Sequence, residues 1–178
     1  MKSFVELEKE AVGNEIERVR KIIDNEITKI SDSASDWAQW NDTYDFIKDG
    51  NQNYVKANMV AATFKNLKLN FMVFADESGR IRLSDGFDAQ DEQIVSLSPE
   101  LLHELSSRRL LHHPLPENSR QGVLLLSTGT PVLVASQPIL TGEGQGPVRG
   151  TLVMGRYLDA RETARLAKII GLPVIFHR

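Results

Sequence analysis

The sequence predicts an α+β domain in which a long N-terminal helix packs on a central antiparallel β-sheet. Three observations support this fold class. Apolar residues follow a helical period from Val12 to Trp37, and strand-like segments joined by short turns follow from residue 69 onward. Further helices with recognisable start signals lie between and after the strands. A chain of 178 residues is long enough for one domain with a hydrophobic core.

The N-terminal helix is indicated by apolar residues at steps of three and four that continue for about seven turns. They are Val12, Ile16, Val19, Ile23, Ile27, Ile30, Ala34 and Trp37. Two successive steps of four, from Val19 to Ile23 to Ile27, interrupt the heptad spacing, so we expect the stripe to change its packing partner there.

The length of this helix has consequences for its packing. At 1.5 Å per residue, about 35 residues form a rod about 50 Å long, which a domain of this size cannot cover. We therefore expect residues 1–35 to protrude as a signalling helix and to form a homodimer with a second copy. Fraying of the N-terminal half, or packing of the whole helix on one domain, are the alternatives.

Residues 36–46 hold both tryptophans of the chain and two further aromatic residues, interleaved with the polar residues Asp36, Asn41, Asp42 and Asp45. Spacings of three and four place Trp37, Trp40 and Tyr44 on one side of a helix. That side is too large and too aromatic for a solvent-facing surface. We interpret the segment as an aromatic joint between the long helix and a globular sensor domain that spans residues 36–178.

The middle of the chain is predicted from turn and cap signals. A turn at residues 48–51 precedes a shorter helix over residues 52–64, whose expected buried positions are Tyr54, Val55, Met59, Ala62 and Phe64. Strands at 69–75 and 80–84 flank a hairpin turn, where Gly79 supplies a positive φ. Ser98 is the expected N-cap of a helix that continues to about residue 111.

The last part of the chain is predicted as an antiparallel meander of strands at 122–127, 131–140 and 147–158, because glycine-containing turns join them. A capped helix from Asp159 to Gly171 and a short strand at 173–176 complete the chain. Within the third strand, alternation separates two apolar faces, one with Leu152, Met154 and Arg156 and the other with Val153, Gly155 and Tyr157. We expect the long helix to cover the first face, and the helix and loops of residues 85–120 to cover the second, where a ligand cavity can form.

Composition excludes several classes of function. A net charge of −3 and the lack of a basic run argue against a nucleic-acid partner. The chain has no cysteine, which excludes disulfides and thiol chemistry. No apolar run reaches the ~20 residues that span a bilayer, and no signal peptide is visible, since residues 1–35 are charged throughout. The abrupt ends indicate an excised domain.

Three segments together resemble a known family. They are the aromatic joint, the hairpin Val73–Ile81 and the strand region Gly146–Arg156. In this order they resemble the fourth family of CHASE domains, the extracellular sensory modules of histidine kinases and diguanylate cyclases. The resemblance covers about residues 36–170. Asn41 departs from it, because the family more often has an acidic residue there.

The resemblance implies a periplasmic or extracellular domain of a membrane receptor, with a fold similar to PAS-like and Cache-like sensors. It implies contact with the membrane only through flanking segments absent from this chain. No ligand is generally assigned to the family. We therefore expect an unknown small-molecule ligand and no cofactor.

The candidate ligand-binding residues come from the aromatic joint and the last long strand. They are Trp37, Trp40, Asp42, Tyr44, Met154 and Arg156. Indole rings can wall a pocket for a cationic ligand, and the planar Arg156 guanidinium can hold a carboxylate or a phosphate. Two structural alternatives remain open. The aromatic rings can be core filler whose N–H groups bind nearby carboxylates, and Arg156 can pair with Asp42 or Asp36.

The sequence gives no support for catalysis or for a metal. His103, His112 and His113 lack the further ligands of a metal site. The glycines of residues 142–150 precede a strand, whereas a phosphate-binding loop precedes a helix. The expected function is therefore a ligand-binding sensor domain. The alternatives are a dimerisation or protein-contact spacer without a ligand, and a small hydrolase.

Overall fold

The computed structural model describes residues 4–170 of the chain, with side chains for residues 12–168. The helices in this part are α1 (Phe4–Ala38), α2 (Asn41–Asp49), α3 (Gln52–Asn58), α4 (Ala61–Leu67), α5 (Pro99–Ser107) and α6 (Ala160–Ile170). The strands are β1 (Phe71–Asp76), β2 (Ile81–Asp88), β3 (Gln93–Val95), β4 (Arg120–Leu125), β5 (Pro131–Ile139) and β6 (Gly150–Tyr157). They form one antiparallel sheet in the order β3-β2-β1-β6-β5-β4, which confirms the predicted α+β class.

Helix α1 is continuous but only partly covered. Ile27, Ile30, Ala34 and Trp37 are buried and belong to a core shared with β5 and β6. Further toward the N-terminus, the Ile16 side chain is 64% exposed. The change from exposed to buried residues falls in the region of the two successive steps of four.

The predicted helical face across Trp37, Trp40 and Tyr44 is interrupted, because α1 ends at Ala38 and Trp40 has an extended backbone. The loop between β5 and β6 stabilises this break. The Leu140 N–H donates to the Ala38 carbonyl over 3.0 Å, and the Gly142 N–H donates to Asn41 Oδ1 over 2.8 Å. The prediction that one helix carries Trp37, Trp40 and Tyr44 was therefore wrong, since Leu140 of a distant loop satisfies the freed Ala38 carbonyl and allows α1 to end there.

The helix predicted over residues 52–64 consists of two helices, α3 and α4, separated at Met59 and the extended Val60. Tyr54, Met59 and Phe64 are buried as predicted. Ala62 is exposed, because the break changes the phase of the helical face after residue 60.

Strand β6 lies between β1 and β5, and its two faces are covered as predicted. Leu152 and Met154 belong to the core beneath α1, while Val153 belongs to the core beneath α5. Gly155 leaves room for the ring of Phe71 from the neighbouring strand, because a Cβ there would lie 2.1 Å from that ring.

Several element boundaries differ from the predictions. Strand β2 continues to Asp88, and β3 pairs with it without having been predicted. Helix α5 ends at Ser107 instead of near residue 111, and Ser98 caps it as predicted by accepting a hydrogen bond from the Leu101 N–H. The predicted strand at 173–176 and the end of the last helix at Gly171 lie outside the described residues.

Candidate ligand-binding site

Arg156, at the end of β6, is buried among charged partners. Its side chain is 7% exposed, and Nη1 donates to Glu26 Oε2 over 2.7 Å and to Glu162 Oε1 over 3.0 Å. Its Nε–H donates to the backbone carbonyl of Lys68. One guanidinium therefore joins α1, α6 and Lys68, the residue that follows α4.

Arg165 of α6 contacts the same two carboxylates. Its Nη2 lies 2.6 Å from Glu26 Oε2 and 2.7 Å from Glu162 Oε1. Glu26, Arg156, Glu162 and Arg165 thus form a charged network with two positive and two negative groups. Because each buried charge faces opposite charges with direct hydrogen bonds, the network offsets the desolvation cost of its members.

The pKa values within the charged network follow from these contacts. Burial alone would raise the pKa of Glu26, but hydrogen bonds from Lys29, Arg156 and Arg165 outweigh burial and lower it to about 2. Burial alone would also raise the pKa of Glu162. The hydrogen bonds and positive charges of Arg165 and Arg156 outweigh burial and lower it. The hydrogen bond with Glu162 raises the pKa of Arg165 further above its usual value. Glu26, Glu162 and Arg165 therefore stay ionised at neutral pH.

A cavity of about 600 Å³ lies beside the charged network, between α4, α6 and the adjoining ends of β2 and β6. We call it the α6 cavity. Its apolar lining includes three buried side chains, those of Phe64, Leu69 and Phe87. Its charged lining consists of Lys65, Lys68, Glu92, Arg156, Asp159, Arg161, Glu162, Arg165 and Lys168.

Positive charge predominates in the α6 cavity, which six cationic and three anionic side chains line. Lys65 is paired with Glu92 at 2.7 Å, and the two network arginines are paired with carboxylates. Among the described residues, no salt bridge involves Lys68, Arg161 or Lys168. Within the same part of the chain, no hydrogen bond uses Nη2 of Arg156. The cavity therefore has cationic groups left for a ligand.

A second cavity of about 360 Å³ lies between α2 and α3 and is acidic. Asp42, Asp45 and Asp49 line it together with three asparagines, Asn51, Asn53 and Asn58. Tyr54 also lines it, and burial followed by the nearby Asp42 carboxylate raises its pKa to about 12. Within the described residues, no group of three or more His, Cys, Asp or Glu side chains is placed to hold a metal ion.

The aromatic joint is occupied by groups of the chain itself. The Trp37 and Trp40 rings stack with centroids 4.5 Å apart. The Tyr44 hydroxyl donates to the Pro147 carbonyl over 3.3 Å, and the Arg149 guanidinium lies 3.5 Å from the centroid of the Tyr44 ring. The sequence predicted a cationic ligand in a pocket walled by the indole rings. In the structure the two indoles stack on each other, and Arg149 supplies a cation over the neighbouring Tyr44 ring.

The six predicted site residues lie in four separate places. Trp37, Trp40 and Tyr44 are in the aromatic joint, and Asp42 lines the acidic cavity. Met154 is fully buried in the core beneath α1 and lines neither cavity. Arg156 lines the α6 cavity.

The sequence left two structural alternatives open, one for Arg156 and one for the indole N–H groups. In both cases the pairing in the structure differs from the predicted one. Arg156 is paired, but with Glu26 and Glu162 instead of Asp42 or Asp36. Among the described residues, neither indole N–H donates to the carboxylates of the aromatic joint; Asp45 accepts instead from Arg149 over 3.0 Å.

Sequence reasoning did not identify Glu26, Glu162 and Arg165 as residues of this site. One signal was present for Glu26, because it lies three residues after Ile23 and four before Ile30, on the apolar stripe of α1. A charged residue on such a stripe needs a buried partner. The spacing of Glu162 and Arg165, three apart on α6, also allows an ion pair but is common on exposed helices.

A buried histidine lies outside both cavities. His113 Nε2 and Ser136 Oγ are 2.6 Å apart, and the Ser136 hydroxyl donates to the Leu110 carbonyl over 2.6 Å. Because the serine hydrogen is used there, His113 donates through Nε2, and its buried Nδ1 has no partner among the described residues. Burial, together with the positive charges of Arg120 and His112, lowers the pKa of His113 to about 4. The pair is a structural contact that is not arranged to activate the serine as a nucleophile.

Comparison with known proteins adds a family match. The model of the CHASE4 domain matches residues 22–177. The methanogenesis regulatory histidine kinase FilI of Methanothrix harundinacea (strain 6Ac) is 29% identical over 172 residues, which are 97% of this chain and 19% of that protein. The chain therefore spans about a fifth of the length of this relative.

Two solved structures have similar folds. The domain of a protein assigned to the sensory box/GGDEF family from Vibrio parahaemolyticus superposes with a TM-score of 0.60 at 17% identity, over 89% of this chain and 62% of that one. The extracellular domain of a protein assigned as the histidine kinase vpHK1S-Z8 gives a TM-score of 0.59 at 15% identity, over 89% and 59%. Among the helices of residues 4–170, none combines the length and apolar character that crossing a bilayer requires.

Proposed function

The chain belongs to the CHASE4 family, and from this premise we propose that it is the extracytoplasmic ligand-binding sensor domain of a membrane-bound receptor. CHASE4 domains are sensor domains and are not catalytic, and their full-length relatives are histidine kinases or GGDEF proteins. In our proposal, membrane-spanning segments outside this sequence anchor the domain, and a histidine kinase or diguanylate cyclase provides the output. A hydrolase function is therefore not proposed.

The α6 cavity is the observation that carries the ligand-binding part of the proposal. It borders a charged network that connects the long helix α1 through Glu26 with the C-terminal helix α6 through Glu162 and Arg165. A ligand in this cavity would contact groups that hold the two helices together. If it binds one arrangement of the helices more tightly than another, occupancy shifts the balance between them.

The exposed half of α1 supports the second part of the proposal, a homodimer. Val12 and Ile16 are 59% and 64% exposed and lie one helical turn apart. In the proposal, residues 1–35 pair with the same helix of a second copy, and residues 36–178 form the sensor domain. A ligand-dependent shift of α1 would then change the relative arrangement of the two paired helices, which in the proposal continue toward the membrane.

A thermal-shift screen of the chain tests the proposal. The compounds are amino acids, organic acids, amines and divalent cations, each titrated into the protein. A specific ligand at about 100 times its dissociation constant adds ~2.7 kcal/mol to the free energy of unfolding, which raises the melting temperature. Unchanged melting with every class contradicts ligand binding.

A second candidate function is a dimerisation or protein-contact spacer that binds no small molecule. Its supporting observation is the aromatic joint, where Arg149 and the stacked indoles occupy the space predicted for a ligand. A spacer would self-associate through α1 and show no compound-dependent melting. A sensor would also self-associate, but its melting temperature would rise with a specific compound, so the thermal-shift screen separates the two functions.

A further inference from the structure

We propose that the α6 cavity binds a small organic anion with an apolar body, such as an aromatic or aliphatic carboxylate. This inference rests on the proposed function, because it names the class of ligand that the sensor would take. Three properties of the cavity support it: its charge balance, its apolar floor and its position against the charged network.

The charge balance favours an anion. After internal pairing, Lys68, Arg161 and Lys168 contribute positive charge without a salt-bridge partner among the described residues. The remaining carboxylate of the lining, Asp159, accepts a hydrogen bond from the Glu162 N–H over 2.8 Å at the start of α6. Excess positive charge around a partly enclosed space raises the local concentration of anions and disfavours amines.

The floor of the cavity requires more than an inorganic ion. Ala89 and Ala164 are exposed and Tyr157 is half-buried, so they give the cavity an accessible apolar floor, behind which Phe64, Leu69 and Phe87 are buried. A volume of about 600 Å³ falls within the range of small-molecule sites, which is roughly 300–1,000 Å³. A phosphate or sulfate ion would leave the apolar floor in contact with water, whereas a ring or an alkyl chain would cover it.

The position of Arg156 selects a carboxylate for the charged end of the ligand. Nη1 and Nε of Arg156 are used by Glu26, Glu162 and the Lys68 carbonyl, while Nη2 is left among the described residues. A ligand carboxylate at Nη2 would compete with Glu162 for the network arginines. Anion binding would therefore weaken the contact between β6 and α6, and the signal would begin at this contact.

The acidic cavity between α2 and α3 provides an internal contrast. Asp42, Asp45 and Asp49 would repel a carboxylate and attract an amine. The charge of a ligand therefore predicts which of the two cavities it enters.

The test uses three compounds of nearly equal size that differ in charge: phenylacetate, phenylacetamide and phenethylamine. We expect phenylacetate to bind the 178-residue chain in calorimetric titration at pH 7 with at least tenfold higher affinity than phenylacetamide, and its affinity to fall as salt is added. Excess phenethylamine, which the acidic cavity attracts, should not displace phenylacetate. Phenylacetamide binding as tight as that of phenylacetate, or displacement of phenylacetate by phenethylamine, overturns the inference but leaves the sensor function standing. No binding by any of the three overturns the inference, while the wider thermal-shift screen still decides the sensor function.

Charge-reversal variants locate the site. Arg161 and Lys168 are exposed at the rim, so Arg161→Glu and Lys168→Glu should fold normally, as circular dichroism and melting will check. Each should weaken phenylacetate binding roughly three- to tenfold, because each reverses one rim charge. The matched control Arg82→Glu changes an exposed arginine outside the cavity and should leave the affinity unchanged. Equal effects of all three variants would show a general charge effect and contradict this site.

Discussion

Glu26 and Arg156 are 130 positions apart in the chain, and their side chains form a buried ion pair with a 2.7 Å contact. Glu26 comes from the long helix α1, and Arg156 from the central strand β6. The contact fixes the position of α1 along the sheet at the point where the helix starts to be covered. Each partner is 7% exposed or less, so loss of either would leave a buried charge without its partner.

Glu26→Gln should lower the free energy of unfolding by on the order of 3 kcal/mol, because two arginines then share one remaining carboxylate. Urea unfolding followed by circular dichroism measures the change. The control Glu17→Gln removes an exposed carboxylate of the same helix, 3.7 Å from Arg20, and should cost less than ~0.5 kcal/mol.

The pair can be examined further with the double variant Glu26→Met, Arg156→Met. It should cost less than the sum of the two single variants, since it removes both charges together. Additive losses would indicate that the two side chains do not interact.

Trp37→Ala should cost ~3–5 kcal/mol, because the side chain is 8% exposed and packs between α1 and the sheet. Trp40→Ala should cost about 1–2 kcal/mol, because Trp40 is only half-buried and loses mainly its stacking on Trp37. Denaturant unfolding followed by far-ultraviolet circular dichroism compares the two variants. Equal losses would contradict the packing of the aromatic joint described above.

The buried His113 predicts a loss of stability in mild acid. Its pKa is lowered from 6.5 to about 4 in the folded chain, so the unfolded chain binds a proton first as the pH falls. The contribution of neutral His113 to the free energy of unfolding is fully present above pH 6.5. It is lost between pH 6.5 and about 4, and the loss is roughly 3 kcal/mol. Unfolding free energies measured at intervals across this pH range give the slope of stability against pH.

Two variants test whether His113, and not another titrating group, causes the loss of stability in acid. His113→Gln should be less stable at pH 7 and should lose most of the slope between pH 6.5 and 4. His112→Gln, at the neighbouring exposed position, should keep it. A slope that persists in His113→Gln would assign the acid sensitivity to another group.

The exposed end of α1 predicts concentration-dependent association. Ile16→Glu and Val12→Glu should shift the chain from dimer to monomer in sedimentation equilibrium, because each places a charge in the apolar stripe of the proposed helix pair. As a control, Leu115→Glu alters a leucine that is 50% exposed but lies outside α1, and it should leave association unchanged. A monomeric wild-type chain at all accessible concentrations would contradict pairing of the isolated domain.

The sequence predicted the features of this fold that depend on local periodicity. Examples are the long helix, the alternation of Met154 and Arg156 with Val153 across β6, and the cap of α5 at Ser98. The end of α1 at Ala38 was not predictable in this way, because a loop about 100 residues later supplies its hydrogen-bond partners.

The candidate site was less predictable than the fold, because four segments distant in the chain build it. Arg156 was identified as a buried arginine on an apolar strand, but its partners were not, because choosing Glu26 over Asp36 or Asp42 requires the position of α1 along the sheet. Lys68 became part of the site because α4 continues to Leu67, beyond the predicted helix end at residue 64, and Lys68 follows it in a left-handed conformation. Site residues from single elements could therefore be proposed, whereas the cavity itself could not.

The central claim is that a ligand acts at the charged network between α1, β6 and α6. Nuclear magnetic resonance of the chain, with arginine Nε–H and tryptophan indole N–H signals assigned, tests this claim most directly during titration with phenylacetate. We predict saturable shifts of the Arg156 and Arg165 Nε–H signals, with little change at Trp37 and Trp40. Shifts confined to the indole signals, or unchanged arginine signals at saturating phenylacetate, would contradict it.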